Sequence, residues 1–229
     1  DLRPDLVIVA AYGKIIPKEI LNIKDLIFIN VHASLLPKWR GAAPIQRAIM
    51  NMDSETGVSI MKIIPQLDAG PVMLQEKIKI SKELSYEDLS KKMSSIGSKL
   101  ILEAINLIKI NKANFIEQNE ADASYAKKID KKESKINWGE EASNVIAKIN
   151  ALNPTPGCWF DLLGSRIKIL KAKEVNITGQ PGHILNENFT IACFKNAIQV
   201  LELQKEGKKK ITTQEFLKGN KLKIGLAVT

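Results

Sequence analysis

Leu6-Val7-Ile8-Val9-Ala10-Ala11 is an unbroken apolar run, and Leu26-Ile27-Phe28-Ile29, ending at Asn30, is a second. Short runs without alternation read as strands covered on both faces, the kind found in parallel sheets. Gly13 breaks the chain between them. Pro17 then opens a short helical segment to Leu21, where a missing N–H costs nothing. Further out, Pro44 to Met50 reads as a helix and Val58-Ser59-Ile60-Met61-Lys62-Ile63 alternates like a strand. Ser85-Tyr86-Glu87-Asp88 has the capping-box pattern and opens a long helix. Its apolar face is Leu89, Met93, Ile96, Leu100, Ala104 and Leu107, at steps of three or four. Strands alternating with helices predict an α/β domain with a mainly parallel sheet over residues 1–112. The chain starts at Asp1, close to the first strand, so the expectation is a domain whose N-terminal part is missing.

The pattern changes after residue 111. Residues 113–124 are polar and without a sustained period, which predicts a linker. Beyond it, Glu140 to Leu152 reads as a helix that stops before Pro154. Short strands follow at Cys158–Leu162, Ile167–Ala172, Thr190–Phe194 and Ile198–Leu203, with turns at Gly164-Ser165, Asn186 to Asn188 and Lys195-Asn196. Short strands so spaced predict a small OB-like β-barrel within residues 125–229. Trp138 and Trp159 are expected to anchor its core.

The chain has 229 residues, 45% of them hydrophobic, which is a globular composition. Cys158 and Cys193 stand far apart, with no Cys or His at zinc-ligand spacing. Neither a disulfide framework nor a metal site is expected, and a reducing compartment, the cytoplasm, is the simpler assumption. No apolar run approaches the ~20 residues that span a bilayer. The net charge of +9 is unevenly placed: residues 1–124 carry 16 Lys/Arg against 15 Asp/Glu, and residues 125–229 carry 18 against 10. A second half at +8 beside a first half at +1 points to a polyanionic partner, nucleic acid first, with a merely solvated Lys-rich surface as the alternative.

Asn30 sits where a strand ends and His32 follows two residues later, so both face the same way while the chain stays extended. In open α/β sheets ligands bind outside the carboxyl ends of the strands. An amide there can donate to a developing oxyanion, and an imidazole can orient or move a proton. Asp68, just after the next strand in Gln66-Leu67-Asp68-Ala69-Gly70, could hold the imidazole. Such a set suits attack by an amine on a carbonyl. Taken alone, a His beside an Asn is more often structural, and Asp68 near glycines is more often a turn residue.

The surrounding sequence is more specific. Asn30-Val31-His32-Ala33-Ser34-Leu35-Leu36-Pro37-Lys38-Trp39-Arg40-Gly41-Ala42-Ala43-Pro44-Ile45-Gln46 closely resembles the signature of the folate-dependent formyltransferase family, in the branch that acts on methionyl-tRNA. Glu55-Thr56-Gly57-Val58-Ser59-Ile60-Met61 and Leu67-Asp68-Ala69-Gly70 match its next segments. In the second half, Tyr125 to Ile129, Ile136-Asn137-Trp138 and Asn153 to Gly157 resemble that branch's C-terminal domain, although Asn137 stands where Asp is expected. The resemblance implies a Rossmann-like formyltransferase domain followed by a barrel that grips tRNA. It implies 10-formyltetrahydrofolate as formyl donor, initiator methionyl-tRNA as acceptor, and Asn30, His32 and Asp68 as the catalytic triad. By the same resemblance Ser34, Leu35, Leu36 and Pro37 contact the folate, and Tyr12 to Pro17 help wall the pterin pocket. The alternatives are formylation of a small amine such as an amino sugar nucleotide, and a tRNA-binding relative without catalysis.

Overall fold

The computed structural model describes residues 4–229, so the first three residues of the expected 1–112 domain lie outside it. The chain divides into two compact units. One comprises the residues up to Ala48, Asp53–Ser81 and Asp88–Lys128, and the other Ile49–Met52, Lys82–Glu87 and Ile129–Thr229.

In the first unit lie β1 (Leu6–Ala10), α1 (Lys18–Leu21), β2 (Ile27–His32), β3 (Arg40–Gly41), most of α2 (Pro44–Met50), β4 (Glu55–Lys62), β5 (Val72–Lys79), most of α3 (Tyr86–Lys109) and β6 (Tyr125–Ala126). The main sheet has the order β1-β2-β4-β5. β1 runs parallel to β2, from Leu6 opposite Ile27 to Ala10 opposite Val31. β2 with β4, and β4 with β5, are antiparallel. The sheet is therefore mixed, not mainly parallel as the sequence suggests. One cause is the short return over residues 63–71, which leaves no room for the dozen or more residues a parallel crossover needs. β1 also departs from expectation. It is not covered on both faces, and Ile8 is 44% exposed. It is an edge strand of this sheet, paired among the described residues with β2 only.

The core of this unit is Phe28 and Ile29 of β2, Val58, Ile60 and Met61 of β4, and the expected stripe of α3: Leu89, Met93, Leu100 and Ala104 are all buried. Gly97 lies on that stripe. A Cβ there would meet Val31 at 3.0 Å, so the missing side chain lets α3 approach β2 closely.

The second unit contains α4 (Ala142–Leu152), β7 (Cys158–Leu162), β8 (Ser165–Val175), β9 (Ile184–Asn186), β10 (Thr190–Ala192), β11 (Ala197–Lys205), β12 (Lys210–Thr212) and α5 (Thr213–Gly219). Its six-stranded sheet has the order β7-β8-β11-β10-β9, with β12 beside β11, and every pairing is antiparallel. Trp138, Phe160, Phe189 and Phe216 form a chain of ring contacts in its core, joined by Val145, Ile149 and Leu152 of α4. The expected barrel is not found. Among the described residues β7 and β9, the outer strands, do not pair with each other. Single bridges occupy those edges instead, Lys135 to Trp159 on β7 and His183 to Ala227 beside β9. Trp138 is buried, as expected, but Trp159 is not a core residue: it is half-buried, with the Arg166 guanidinium 4.0 Å over its ring. No helix among the described residues is long and apolar enough to cross a membrane.

Candidate active site

β2 delivers two of the three expected catalytic residues. Asn30 and His32 lie on one strand two residues apart, paired across to Met61 and Ser59 of β4. His32 is buried, 5% exposed. Its Nε2 lies 3.0 Å from the Trp39 carbonyl, which can only accept, so Nε2 carries a hydrogen. Its Nδ1 lies 3.7 Å from Asp68 Oδ2. Both ring nitrogens therefore face oxygen acceptors, and a proton on either has a partner. The Asn30 amide is half-buried and, among the described residues, has no side-chain hydrogen bond. It is left available to a ligand.

Asp68 comes from the return between β4 and β5, in the left-handed region at φ +47°. Its Oδ2 accepts the Gly41 N–H at 2.8 Å, a firmer contact than the one to His32. The turn is tight: a Cβ at Gly70 would lie 1.9 Å from the Lys62 carbonyl, so only glycine fits. The structure thus brings His32 and Asp68 together as the sequence suggests.

The expected folate segment, Ser34 to Pro37, is fixed from below. Ser34 is fully buried and its hydroxyl donates to the Lys38 carbonyl at 2.6 Å. Ser59 of β4 donates to the Ser34 carbonyl at 2.6 Å and accepts from the Leu36 N–H at 3.1 Å. Gln75 of β5 donates to the Leu36 carbonyl at 2.9 Å and to Ser59 Oγ at 2.8 Å. The Leu36–Pro37 peptide is cis. Ser34 and Leu36 face inward, while Leu35 and Pro37 are half-buried. Any contact this segment makes with a ligand falls to Leu35, Pro37 and the backbone, since the Ser34 hydroxyl is already used.

Sequence reasoning assigned no role to Arg40, which is 1% exposed and, among the described residues, the largest fully buried side chain. Its guanidinium binds Glu120 twice, at 2.9 and 2.7 Å, and Gln118 Oε1 twice, at 3.1 and 2.9 Å. The Glu120 carboxylate holds the Arg40 guanidinium above its ordinary value, and Arg40 in turn holds the Glu120 carboxyl below the usual carboxylate range. Gln118 and Glu120 belong to the stretch read as a linker. That stretch is bonded into the first unit: Ile116 bridges Val72, and the Ser124 hydroxyl accepts the Trp39 N–H at 3.0 Å.

Neither cysteine competes as a nucleophile. Burial pushes both thiols up to about 12. In the second unit the Lys205-to-Lys210 turn is exposed, and His183 Nδ1 lies 3.2 Å from the Pro181 carbonyl, consistent with a turn residue.

Residues 1–105 match the family described as formyl transferase, and residues 128–221 the formyl transferase C-terminal domain. The chain is 47% identical to the methionyl-tRNA formyltransferase of Pelagibacter ubique, spanning 100% of this chain and 74% of that protein. It is 41% identical to the enzyme of the same name from Bradyrhizobium diazoefficiens, over 98% of this chain and 74% of that one. The chain belongs to the methionyl-tRNA formyltransferase family. HypX from Aquifex aeolicus, solved in complex with tetrahydrofolic acid, shares the fold at a TM-score of 0.73 and 20% identity, covering 97% of this chain and 42% of that chain. As a methionyl-tRNA formyltransferase family member, the chain keeps both formyl transferase domains, and its β2 and β4–β5 return carry the Asn30, His32 and Asp68 set. Ser59, Gln75, Arg40 and Gln118 join them here as residues that sequence reasoning missed. Arg40 stood inside the quoted signature and could have been suspected, whereas Gln118 offered no signal.

Proposed function

We propose that this chain transfers the formyl group of 10-formyltetrahydrofolate to the amino group of initiator methionyl-tRNA, in the cytoplasm where translation begins. The single observation that carries the proposal is the Asn30–His32–Asp68 geometry within a chain 47% identical to a curated enzyme of that name. The residues present fit a folate formyl donor. A half-buried amide without a side-chain partner is what a formyl oxygen needs, and an inward-braced segment, Ser34 to Pro37, leaves Leu35 and Pro37 to line an apolar surface.

In this proposal the amine nitrogen bonds to the formyl carbon, the bond from that carbon to the folate nitrogen breaks, and the proton the amine gives up goes to the departing folate nitrogen, leaving tetrahydrofolate. Asn30 donates to the negative charge that develops on the formyl oxygen, an interaction stronger in the transition state than in the ground state. His32 holds or moves a proton at its ring nitrogens, with Asp68 facing Nδ1 and the Trp39 carbonyl facing Nε2. Asp68 is itself held by the Gly41 N–H, so its carboxylate is positioned before substrate arrives. No covalent intermediate on the protein is required. Residues 125–229, at +8, are proposed as the tRNA-gripping domain, after a catalytic domain of residues 1–112 and a connecting stretch, 113–124.

The test is a formylation assay on the complete protein, with methionyl-tRNA and with amino sugar nucleotides as competing acceptors. Methionyl-tRNA should be the acceptor used. His32→Ala and Asn30→Ala should each lower turnover by roughly 10²–10³-fold, the usual cost of an oxyanion donor, with folate affinity changed far less. Near-normal turnover in either variant removes that residue from the mechanism. Preference for the small amine, or no transfer at all, overturns the proposal.

A further inference from the structure

We infer that Gln118, locked by Arg40 and Glu120, is a positioning residue for the reaction: it sets the turn that carries Asp68. The inference rests on the catalytic role proposed for Asp68.

Every hydrogen-bonding site of the Gln118 amide is used. Nε2 donates to the carbonyls of Asp68 and Gly70, at 2.8 and 2.7 Å. Oε1 accepts from Nε and Nη2 of Arg40, at 3.1 and 2.9 Å. The amide is therefore oriented from both ends. Flipping it would turn its NH₂ toward the guanidinium and its oxygen toward two carbonyls, losing all four bonds. Arg40 in turn is fixed by its two-pronged contact with Glu120.

The residues on either side of Arg40 carry the consequence. Trp39 presents its carbonyl to His32 Nε2, and Gly41 presents its N–H to Asp68 Oδ2. The short segment Trp39-Arg40-Gly41 thus touches both members of the catalytic pair through its backbone. Gln118 ties the Arg40 side chain to the backbone of the Asp68 turn. His32 and Asp68 are held in register by two routes that meet at Arg40 and Gln118. Asp68 stands at positive φ, an uncommon conformation for a residue with a side chain, so its turn has need of external ties.

A positioning role differs from a structural one in what Gln118→Glu would do. The carboxylate would keep, and strengthen, the contact with Arg40, but would present no donor to the carbonyls of Asp68 and Gly70. Measured on the complete protein, it should lower kcat by about 10- to 100-fold, the scale of a small misplacement at the reacting centre. KM for the formyl donor should stay within about two-fold, because the Ser34-to-Pro37 segment hangs on Ser59 and Gln75 instead. A control, Asp68→Asn, is run alongside. If Asp68→Asn is inactive and Gln118→Glu keeps kcat within two-fold, the positioning role is wrong while the role of Asp68 stands. If Asp68→Asn itself keeps its rate, both fall. Should Gln118→Glu fail to fold, Glu120→Ala decides. Glu120 is a surface carboxylate whose loss frees one side of Arg40. A several-fold drop in kcat at unchanged KM supports the inference, and an unchanged kcat overturns it.

Discussion

Ser59→Ala should loosen the proposed folate segment, Ser34 to Pro37, while leaving the side chains of Asn30, His32 and Asp68 in place. Ser59 is fully buried in β4. Its hydroxyl donates to the Ser34 carbonyl and accepts from the Leu36 N–H and from Gln75 Nε2. Removing the oxygen leaves almost no void, so the cost lies in stranded polar groups. Gln75 keeps its bond to the Leu36 carbonyl. The Ser34 carbonyl and the Leu36 N–H lose these partners. A buried group left unpaired costs about 1–3 kcal/mol, and two such groups, one of them a carbonyl that can relax, sum to roughly 2–4 kcal/mol.

The two units need not unfold together, so the readout must be local. Hydrogen exchange by mass spectrometry on peptides within residues 27–48 and 53–62, taken along a urea series, reports the first unit alone. With m near 2 kcal/mol/M, the midpoint should fall by roughly 1–2 M. KM for the formyl donor should rise while Asn30 and His32 keep their geometry. Ser98→Ala is the control. That exposed hydroxyl bonds the Ser95 carbonyl of its own helix, and the substitution should stay within about 0.5 kcal/mol. A Ser59→Ala midpoint no lower than that of Ser98→Ala refutes the bracing argument.

Two further outcomes are expected. Neither Cys158 nor Cys193 should react with a thiol reagent at about pH 8 in the folded protein, because burial keeps both thiols protonated, and both should react in denaturant; rapid labelling of native protein would contradict the buried placement. The Arg40–Glu120 contact should stabilise the first unit at neutral pH and cease to do so in acid. Glu120 has a depressed folded-state value, so its contribution is present above the ordinary carboxylate range and is lost as pH falls through the folded value. Parent and Glu120→Gln should therefore differ in stability near neutrality and converge as the pH falls through the depressed folded value of Glu120; a difference that persists unchanged in acid would show that charge on Glu120 is not its source.

The fold was legible wherever burial follows a local period. The α3 stripe and the strand Cys158–Leu162 could be drawn from side-chain spacing because each buries one face against a single layer. Spacing does not encode strand direction, and β5 has too little burial to announce itself: of its eight residues only Ile78 is buried. The return over residues 63–71 was therefore not recognised as a hairpin, and the sheet was expected to be mainly parallel. The barrel expectation failed on a similar point. Four of the six strands were placed and the short β9 and β12 were not, but closure depends on whether β7 and β9 meet, and that is decided by which other segments take their edges.

The site divides along the same line. Asn30 and His32 could be placed on one face because two residues of a strand always are. Asp68 needed the resemblance, since nothing local says that the β4–β5 return brings a carboxylate to 3.7 Å from His32. Gln118 could not be found at all. Residues 113–124 looked like a linker because their apolar content is low and aperiodic, and periodicity detects only attachment by burial. This stretch is attached by hydrogen bonds: Ile116 to Val72, Gln118 to Asp68 and Gly70, Glu120 to Arg40, and Ser124 to Trp39. Each partner is separated from it by tens of residues in sequence, and each bond uses a polar side chain or backbone group that would look the same in a solvated loop. A polar stretch near the Asp68 turn therefore cannot be judged free from composition. What decides is whether its amides and carboxylates find buried partners, and here the fully buried guanidinium of Arg40 is that partner.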